Sequence, residues 1–251
     1  MREITERVKA GYLPERGLAS IIDGIPGANL VGYWPALHGH GATLLDRSQN
    51  ANTGTITGAS WQRLPSGLWA LSFNGVANRV NLGAGTSLAI VGSLTLEAWI
   101  KPTDATPAAT QFCLAKWRDT GGDIRSYALA LLTSGKCAVF ASLLGTGATE
   151  CNRASNTAIT EVWSHIVGVY NTVGPTLVMY TNGTLDTGTL TGTIPASVYS
   201  SAEPLLMGLR DSVGLVQAFA GSIALARVHS EALSAAAILR HYTRERLLFG
   251  V

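Results

Sequence analysis

The chain has 251 residues, of which 47% are apolar and 14% are charged, and its formal net charge is +2. This length allows one large β-sandwich or two small domains, and the near-neutral charge argues against a nucleic-acid-binding surface. The sequence has no apolar run of about 18 residues, which excludes a helical membrane span. Twenty-eight glycines with few charged residues are typical of strands joined by tight turns.

Residues 1–28 predict a short amphipathic helix followed by an arm rich in glycine and proline. Ile4, Val8 and Tyr12 lie on one side of this helix. Because such a segment cannot form a core alone, we expect these three side chains to make assembly contacts with the main domain or with a partner. The opening residues lack an apolar signal core, which predicts a chain made and assembled in the cytoplasm.

Residues 29–232 alternate between apolar and polar positions in short runs. Ser93–Pro102 and Ser164–Asn171 show this period of two clearly, and Asn182-Gly183 suits the positive φ angles of a type I′ hairpin turn. Strands at this spacing without intervening helices indicate a sandwich or a barrel. Further strands are predicted near residues 30–35, 68–73, 78–82, 111–117, 126–132, 136–143, 149–154, 205–209 and 218–228.

Residues 233–251 predict a helix that begins after the capping residue Ser234 and stops at Gly250. The end of this helix is apolar, and its side chains need burial either on the sandwich or on a neighbouring molecule. We therefore count three residues there as assembly contacts: Leu247, Leu248 and Phe249.

The three cysteines, Cys113, Cys137 and Cys151, have no metal-binding spacing. Cys137 and Cys151 face each other if a hairpin turns near Leu144–Gly147, and they miss each other if the turn centres near Thr146. The other interpretation is three small buried apolar residues, which suits a reducing cytoplasm.

The middle of the chain resembles the concanavalin A-like lectin/glucanase sandwich, specifically the laminin G-like jelly roll of the bacterial and phage type, over about residues 29–240. The resemblance implies an all-β fold: a two-sheet antiparallel jelly-roll sandwich (29–232) with an N-terminal extension (1–28) and a C-terminal helix (233–251). It also implies that Trp34, Phe73, Trp99 and Trp163 pack in the core. The motifs that carry it, in order, are LVGYW (30–34), DRSQN (46–50) with GTITG (54–58), ALSFNG (70–75), LTLEAWIKP (94–102), WSHIV (163–167), FAGSI (219–223) and ALSAA (232–236).

Catalytic relatives of this fold carry two glutamates and an aspartate at alternate positions of one strand, as glycosidic bond cleavage requires. In this chain Glu97 stands alone in its strand, and Asp119 and Asp123 lie in a glycine-rich loop. We therefore expect no catalytic residues and no enzyme activity, with an endo-glycanase as the third alternative.

A calcium ion is implied by the resemblance, because many relatives hold one at the loop that corresponds to Asp46, Asn50 and Asn52, whose oxygens suit Ca²⁺. The acidic pair that relatives carry in the last strand is replaced here by Ala224-Leu225. The alternative is that Asp46 and Asn50 only cap a turn. The expectation is no cofactor, or a structural calcium ion.

Glycan binding needs an exposed aromatic ring beside planar polar groups. The segment with Trp117, Arg118, Asp119 and Asp123 has this composition, and Trp61 is a second candidate. The alternative for both is an aromatic side chain that packs under a loop.

Jelly rolls of this kind occur as structural and adhesion modules of phages. The resemblance therefore implies a non-catalytic virion component, either a capsid decoration or a tail or fibre protein, assembled in the host cytoplasm. Its partners would be other virion proteins or copies of itself, together with cell-surface glycans, but neither nucleic acid nor membrane. The alternative is a stand-alone carbohydrate-binding module, extracellular or at a cell surface.

Overall fold

The structure is a computed structural model that describes Gly27 and residues 29–119, 122–210 and 217–251. It confirms the predicted fold class: two antiparallel sheets face each other, and a helix follows them. The predicted N-terminal helix with Ile4, Val8 and Tyr12 lies outside the described residues, so those assembly contacts stay a prediction.

The first sheet has eight strands in the order β14-β13-β12-β7-β17-β5-β4, with β1 paired to the second half of β17. Its long central strands are β7 and β17, which the motif LTLEAWIKP and the motif FAGSI predict. The bounds are β1 (Leu30–Trp34), β4 (Ser60–Arg63), β5 (Trp69–Asn74), β7 (Leu94–Pro102), β12 (Ser164–Asn171), β13 (Thr176–Thr181), β14 (Thr184–Leu185) and β17 (Ala220–His229).

The second sheet has nine strands in the order β15-β11-β10-β9-β8-β16-β6-β3-β2. Its centre is an antiparallel meander of four consecutive strands, β8 to β11. The bounds are β2 (Thr43–Leu44), β3 (Gly54–Thr57), β6 (Arg79–Asn81), β8 (Gln111–Arg118), β9 (Ile124–Leu131), β10 (Lys136–Ser142), β11 (Glu150–Ala158), β15 (Thr187–Thr191) and β16 (Leu206–Met207).

The main core lies between the two sheets, where apolar side chains alternate along each strand. Leu94, Leu96, Ala98 and Ile100 of β7 all face it, as the period of two predicts. Gly168 lets the sheets approach closely, since a Cβ atom there would lie 2.4 Å from Cβ of Val139 on the opposite sheet. The burial of these alternating side chains is the main force that holds the two sheets together.

The hairpin between β13 and β14 turns at Asn182 and Gly183, whose φ angles are 52° and 76°. These positive angles confirm the predicted turn, because an Asn-Gly pair adopts them at low cost.

Strand β17 contains a β-bulge at Leu225, which has a φ of 46°. Opposite β7, Ala224 pairs with Trp99 and Arg227 pairs with Glu97, so two residues of β17 face one residue of β7. The additional residue exchanges the faces that side chains occupy beyond it. As a result Arg227 leaves the core side and points to the outer face of the sheet, beside Glu97.

Helix α1 (Ala235–Phe249) packs on the outer face of the eight-stranded sheet. The Ser234 hydroxyl accepts a hydrogen bond from the Ala237 amide at 3.3 Å, and Gly250 follows the helix with a φ of 74°. No helix among the described residues is long and apolar enough to span a membrane.

The end of α1 is buried on the chain's own sandwich. Leu248 and Phe249 are 2% and 8% exposed, and both pack in a cluster with Trp99 and Trp163. Their apolar surface is covered within the chain, which favours burial on the sandwich over burial on a neighbouring molecule, and their role as assembly contacts stays a prediction. Leu247 is half-buried. The four aromatic residues predicted to pack inside, Trp34, Phe73, Trp99 and Trp163, are all buried, two of them under the helix rather than between the sheets.

The three cysteines are free and buried. Cys151 lies opposite Ala141 in the β10–β11 pair, four positions along the strand from Cys137, so the two thiols do not meet. Burial raises the pKa of Cys137 to about 12 and that of Cys151 to about 11, which keeps both thiols protonated and unreactive.

Candidate functional site

The predicted ligand residue Trp117 is the second-last residue of β8 and is 1% exposed. Its ring packs beside Phe112 and Phe140, at centroid distances of 6.2 Å and 6.0 Å, and its indole nitrogen donates to Asp119 at 3.2 Å. A sugar stacks on an aromatic ring only where a ring face meets solvent. This position favours the packing alternative for Trp117, and its role in ligand binding stays a prediction.

Asp119 and Asp123 come together around Arg125 near this aromatic cluster. Arg125 lies 2.9 Å from Asp119, 3.4 Å from Asp123 and 2.5 Å from Glu150, and Arg210 lies 2.7 Å from Asp119. We call these five residues the Arg125 cluster. Their side chains keep between 13% and 37% of their surface in water. Each of the three acidic groups thus has an arginine of the same chain as a partner.

Arg118 pairs with Glu203 at 2.9 Å. The neighbouring Lys116 is fully buried and donates to the backbone oxygen of Glu203. Burial lowers the pKa of Lys116 to about 8. Both side chains hold the loop at Glu203 against β8.

Asp46 closes the loop that the resemblance links to calcium. Its Oδ1 accepts hydrogen bonds from the amides of Tyr33 and Ser48, and its Oδ2 accepts from the Ser48 hydroxyl and the Asn52 amide, at 2.7 to 2.8 Å. The side-chain nitrogens of Asn50 and Asn52 donate to backbone oxygens of β1. Carboxylate oxygens that already face four donors favour the turn-capping alternative. The calcium site stays a prediction.

An open polar groove of about 540 Å³ lies on the outer face of the eight-stranded sheet, across β4, β5, β17 and β7. Its floor is a row of register partners, Ser60, Ser72, Ser222 and Lys101, on these four strands in turn. Three strand spacings give this row a length of roughly 14 Å. We call this surface the polar groove.

The polar groove offers hydrogen-bonding groups that other described residues leave free. The Ser222 hydroxyl donates to Oε1 of Gln62 at 2.7 Å, which leaves the amide nitrogen of Gln62 available. The hydroxyls of Ser60 and Ser72 and the ammonium of Lys101 have no side-chain partner in the part of the chain that the structure describes. The groove is therefore rich in donors that a polar ligand can satisfy.

Trp61, the second aromatic candidate, also borders the polar groove. Its residue position lies opposite Leu71, on the core side of β4, and its indole nitrogen donates to the Gly41 backbone oxygen at 2.8 Å. The ring is half-buried against the core. The structure therefore places Trp61 at the groove but on the opposite face from Gln62.

A buried charged cluster lies on the same sheet, beneath helix α1. Glu97 of β7 bonds Arg227 of β17 at 2.6 Å, His165 of β12 at 3.0 Å and His241 of α1 at 2.9 Å. Glu245 of α1 pairs with Arg227 and accepts from the Trp99 indole at 2.8 Å. With His229, these charged and imidazole side chains form what we call the Glu97 cluster, and all of them are at most 2% exposed.

Electrostatics favours ion pairing in the Glu97 cluster over metal binding. Ligand atoms of Glu97, His165 and Glu245 lie within 4.8 Å of one another, but the Arg227 guanidinium already bonds both carboxylates. Burial alone would raise the pKa of Glu97, yet Arg227 and then His241 outweigh it and hold that pKa well below its usual value. Glu97 is therefore ionised inside the protein.

Glu97 stands out in the sequence, whereas its partners cannot be recognised from its own strand. Three predicted central strands each carry a charged or imidazole side chain in an apolar run: Glu97, His165 and Arg227. That coincidence was the available signal, because an unpaired charge in a central strand is costly. The bulge at Leu225 and the docked helix, which complete the cluster, leave no such mark in the sequence.

The family comparison matches residues 74–239, more than half of the chain, to a laminin G model described as the concanavalin A-like lectin/glucanases superfamily. The matched region runs from the end of β5 into α1 and includes Glu97, His165 and Arg227. A comparison with curated protein sequences gave no significant match.

Solved structures show the same fold at low sequence identity. Trypanosoma rangeli sialidase in complex with sialic acid superposes with a TM-score of 0.63 and 16% identity, over 99% of this chain and 39% of that one. The binding domain of Paraclostridial Mosquitocidal Protein 1 gives 0.63 and 12%, over 85% and 52%. The Botulinum Neurotoxin serotype G binding domain gives 0.61 and 12%, over 86% and 51%. The chain thus spans about half or less of each of these chains.

Proposed function

We propose that this chain, which belongs to the concanavalin A-like lectin/glucanases superfamily, is a non-catalytic module that binds carbohydrate. The observation that carries this proposal is the polar groove, which spans four strands and presents free hydroxyl, amide and ammonium groups on β4, β5 and β7. One of the solved structures with this fold is a sialidase in complex with sialic acid, which supports a carbohydrate ligand.

The chemistry of the polar groove suits a carbohydrate because each sugar hydroxyl both donates and accepts hydrogen bonds. Ser60 and Ser72 supply hydroxyls of the same kind, and Gln62 and Lys101 supply further donors. Strand pairing fixes the backbone positions of the row, whereas the exposed side chains of Lys101 and Gln62 become ordered when a ligand binds. A groove of roughly 14 Å has room for a short oligosaccharide rather than for a single hydroxyl group.

A binding function without catalysis agrees with where the carboxylates lie, since the described lining of the polar groove includes a single one, Glu161. Glycoside hydrolysis needs two carboxyl groups that flank the bond of a bound substrate. Glu97 and Glu245 have fully buried side chains, and in the Arg125 cluster Asp119 and Glu150 are each held by Arg125. Arg227 holds the pKa of Glu97 well below its usual value, which favours the ionised form of this carboxylate over a proton donor. The absence of catalysis remains part of the proposal, and the release of reducing ends from β-glucans would contradict it.

The first experiment is a glycan array with the full chain, in buffer with calcium and in buffer with a chelator. We expect binding that does not depend on calcium, because the side chains of Ser60, Gln62, Ser72 and Lys101 can bond sugar hydroxyls without a metal ion. The best glycan is then titrated against Lys101→Ala and Gln62→Ala, two exposed residues whose replacement should leave the fold intact. Each substitution removes a donor and should weaken binding about tenfold, which corresponds to roughly 1.4 kcal/mol.

The matched control is Lys136→Ala, a lysine at the start of β10 on the other sheet. This variant should bind with the affinity of the unmodified chain. An array without any hit would contradict carbohydrate binding, and unchanged affinities of Lys101→Ala and Gln62→Ala would place the site elsewhere.

We further propose that the module belongs to a virion, as a capsid decoration or as a tail or fibre protein assembled in the host cytoplasm. The support is the resemblance of its motifs to jelly rolls that serve phages for structure and adhesion. Under this proposal residues 1–28 contact other virion proteins or further copies of the chain. Purified particles should contain the chain at stoichiometric copy number, and particles without it would rule this role out.

A further inference from the structure

Helix α1 and the sheet beneath it share the Glu97 cluster. The helix contributes His241, which bonds Glu97 at 2.9 Å, and Glu245, which pairs with Arg227 and accepts from Trp99 at 2.8 Å. The other charged members belong to β7, β12 and β17. Every one of these contacts that joins helix to sheet is lost if the helix lifts from the sandwich.

One member of the Glu97 cluster lacks hydrogen-bond partners among the described residues while the helix is docked. His229 is 2% exposed, and neither of its ring nitrogens has a hydrogen-bond partner among the described residues. Its Nε2 lies 4.0 Å from Oε2 of Glu97, too far for a hydrogen bond, and its ring stacks on His241 at a centroid distance of 6.2 Å. If the helix were absent, water would form hydrogen bonds with both ring nitrogens. Docking of the helix therefore removes water from this imidazole.

The charges that face His229 come from every element around it. Glu97 favours a positive imidazolium, whereas Arg227 and His241 oppose it, and burial opposes it most strongly. The remaining charged or titratable groups of the site lie on β1, β12 and α1. They are Tyr33, His165, Tyr242 and Glu245.

We propose that helix α1 is an acid-sensitive clasp: it is docked while His229 is neutral, and mild acid releases it because only the undocked state gives the His229 imidazolium access to water. The helix then uncovers the aromatic surface around Trp99, on which Tyr242 and Phe249 stack at centroid distances of 5.8 Å and 4.1 Å. This proposal does not depend on carbohydrate binding, since the polar groove lies on other residues.

The size of the effect follows from the two protonation equilibria. Burial lowers the pKa of His229 from 6.5 to about 4 in the docked state. In the undocked state, where water reaches the imidazole, its pKa returns to the ordinary value. The docked state therefore becomes less stable relative to the undocked state as the pH falls from 6.5 towards 4. Between pH 7.0 and pH 4.5 the equilibrium constant for docking should fall about 60-fold.

Hydrogen–deuterium exchange on the full chain tests the clasp. Protection of the α1 amides is measured at pH 7.0 and pH 4.5, corrected for the intrinsic exchange rate, with the β9 and β10 amides as an internal reference. We expect opening of α1 to increase about 60-fold while the reference strands keep their protection. In His229→Gln, which cannot titrate, the increase should shrink to less than about fivefold.

Two further variants make the outcome decisive. His40→Gln replaces an exposed histidine and should behave like the unmodified chain. His229→Leu repeats the test with an apolar side chain in case the glutamine amide disturbs the fold. Three results would each overturn the proposal: an α1 whose protection is independent of pH, an acid response of both His229 variants as large as that of the unmodified chain, or an α1 that opens only together with β9 and β10.

Discussion

The molecule holds two clusters of opposite charges, one on each sheet, that differ in their contact with water. In the Glu97 cluster the side chains of Glu97, Arg227 and Glu245 are 0% exposed. In the Arg125 cluster every side chain keeps at least 13% of its surface in water. Both have similar chemistry, with arginines between carboxylates at hydrogen-bond distance. Comparison of the two clusters therefore separates the effect of burial on stability from the effect of charge pairing.

The difference teaches that the same ion pair has two structural roles. In water, screening and side-chain entropy leave a pair worth little, so the Arg125 cluster mainly orders a loop. Away from water, each charge depends on its partners because solvent cannot replace them. The Glu97 cluster therefore fixes where α1 sits on the sandwich, and a change to one of its members affects the whole fold.

The largest expected effect comes from Arg227→Met. This substitution leaves Glu97 and Glu245 buried without their shared cation and should lower the free energy of unfolding by about 3–5 kcal/mol. Urea denaturation followed by circular dichroism measures the loss. The triple variant Glu97→Leu/Arg227→Met/Glu245→Leu removes the unpaired charges and should be more stable than Arg227→Met alone. A triple variant no more stable than the single one would show that packing, not charge, dominates there.

A second effect is a loss of stability in mild acid. Because the pKa of His229 is about 4 in the folded chain and 6.5 in the unfolded chain, the unfolded state binds more protons between these values. Stability should therefore fall as the pH drops from 6.5 towards 4, by about 3 kcal/mol in total. Urea denaturation at a series of pH values measures this slope. His229→Gln should flatten it, and an unchanged slope in that variant would assign the acid response to other groups.

A smaller effect is expected for Arg125→Met in the cluster that faces water. The free energy of unfolding should fall by about 1 kcal/mol or less, and 1 M salt should reduce the difference because the partners are solvated. The same denaturation experiment at low and high salt provides the comparison with Arg227→Met. A loss as large as that of Arg227→Met would mean that burial does not separate the two clusters.

The smallest effect on stability is expected in the polar groove. Lys101→Ala removes an exposed side chain without a partner among the described residues, and the free energy of unfolding should change by less than about 0.5 kcal/mol. Thermal unfolding measures this, while the carbohydrate titration measures affinity. A destabilised Lys101→Ala would show that a loss of binding reflects folding rather than contact with the ligand.

Strand positions and the fold could be predicted because alternation and turn chemistry are local properties. Ser93–Pro102 and Ser164–Asn171 carry the period of two that a half-buried strand needs, and Asn182-Gly183 specifies its turn by backbone angles alone. The structure has β7, β12 and the β13–β14 hairpin at these positions. None of this information depends on distant parts of the chain.

The candidate sites were harder to predict because burial depends on residues far away in the sequence. Trp117 has polar neighbours in the sequence, yet Phe112 and Phe140 enclose its ring. The polar groove joins Ser60 to Lys101 only through two intervening strands, β5 and β17. Simple alternation from Ser222 would also turn Arg227 towards the core, whereas the bulge at Leu225 turns it to the helix.

The bulge at Leu225 also couples the length of β17 to the placement of its charges. One codon gained or lost at this point would exchange the environments of Arg227 and His229 with those of Ala226 and Val228, although no side chain had changed its identity. The insertion or deletion of a single residue in a jelly roll can thus move ionisable groups between the apolar core and the sheet face beneath a peripheral helix. Amino-acid replacement would need several simultaneous steps to reach the same arrangement.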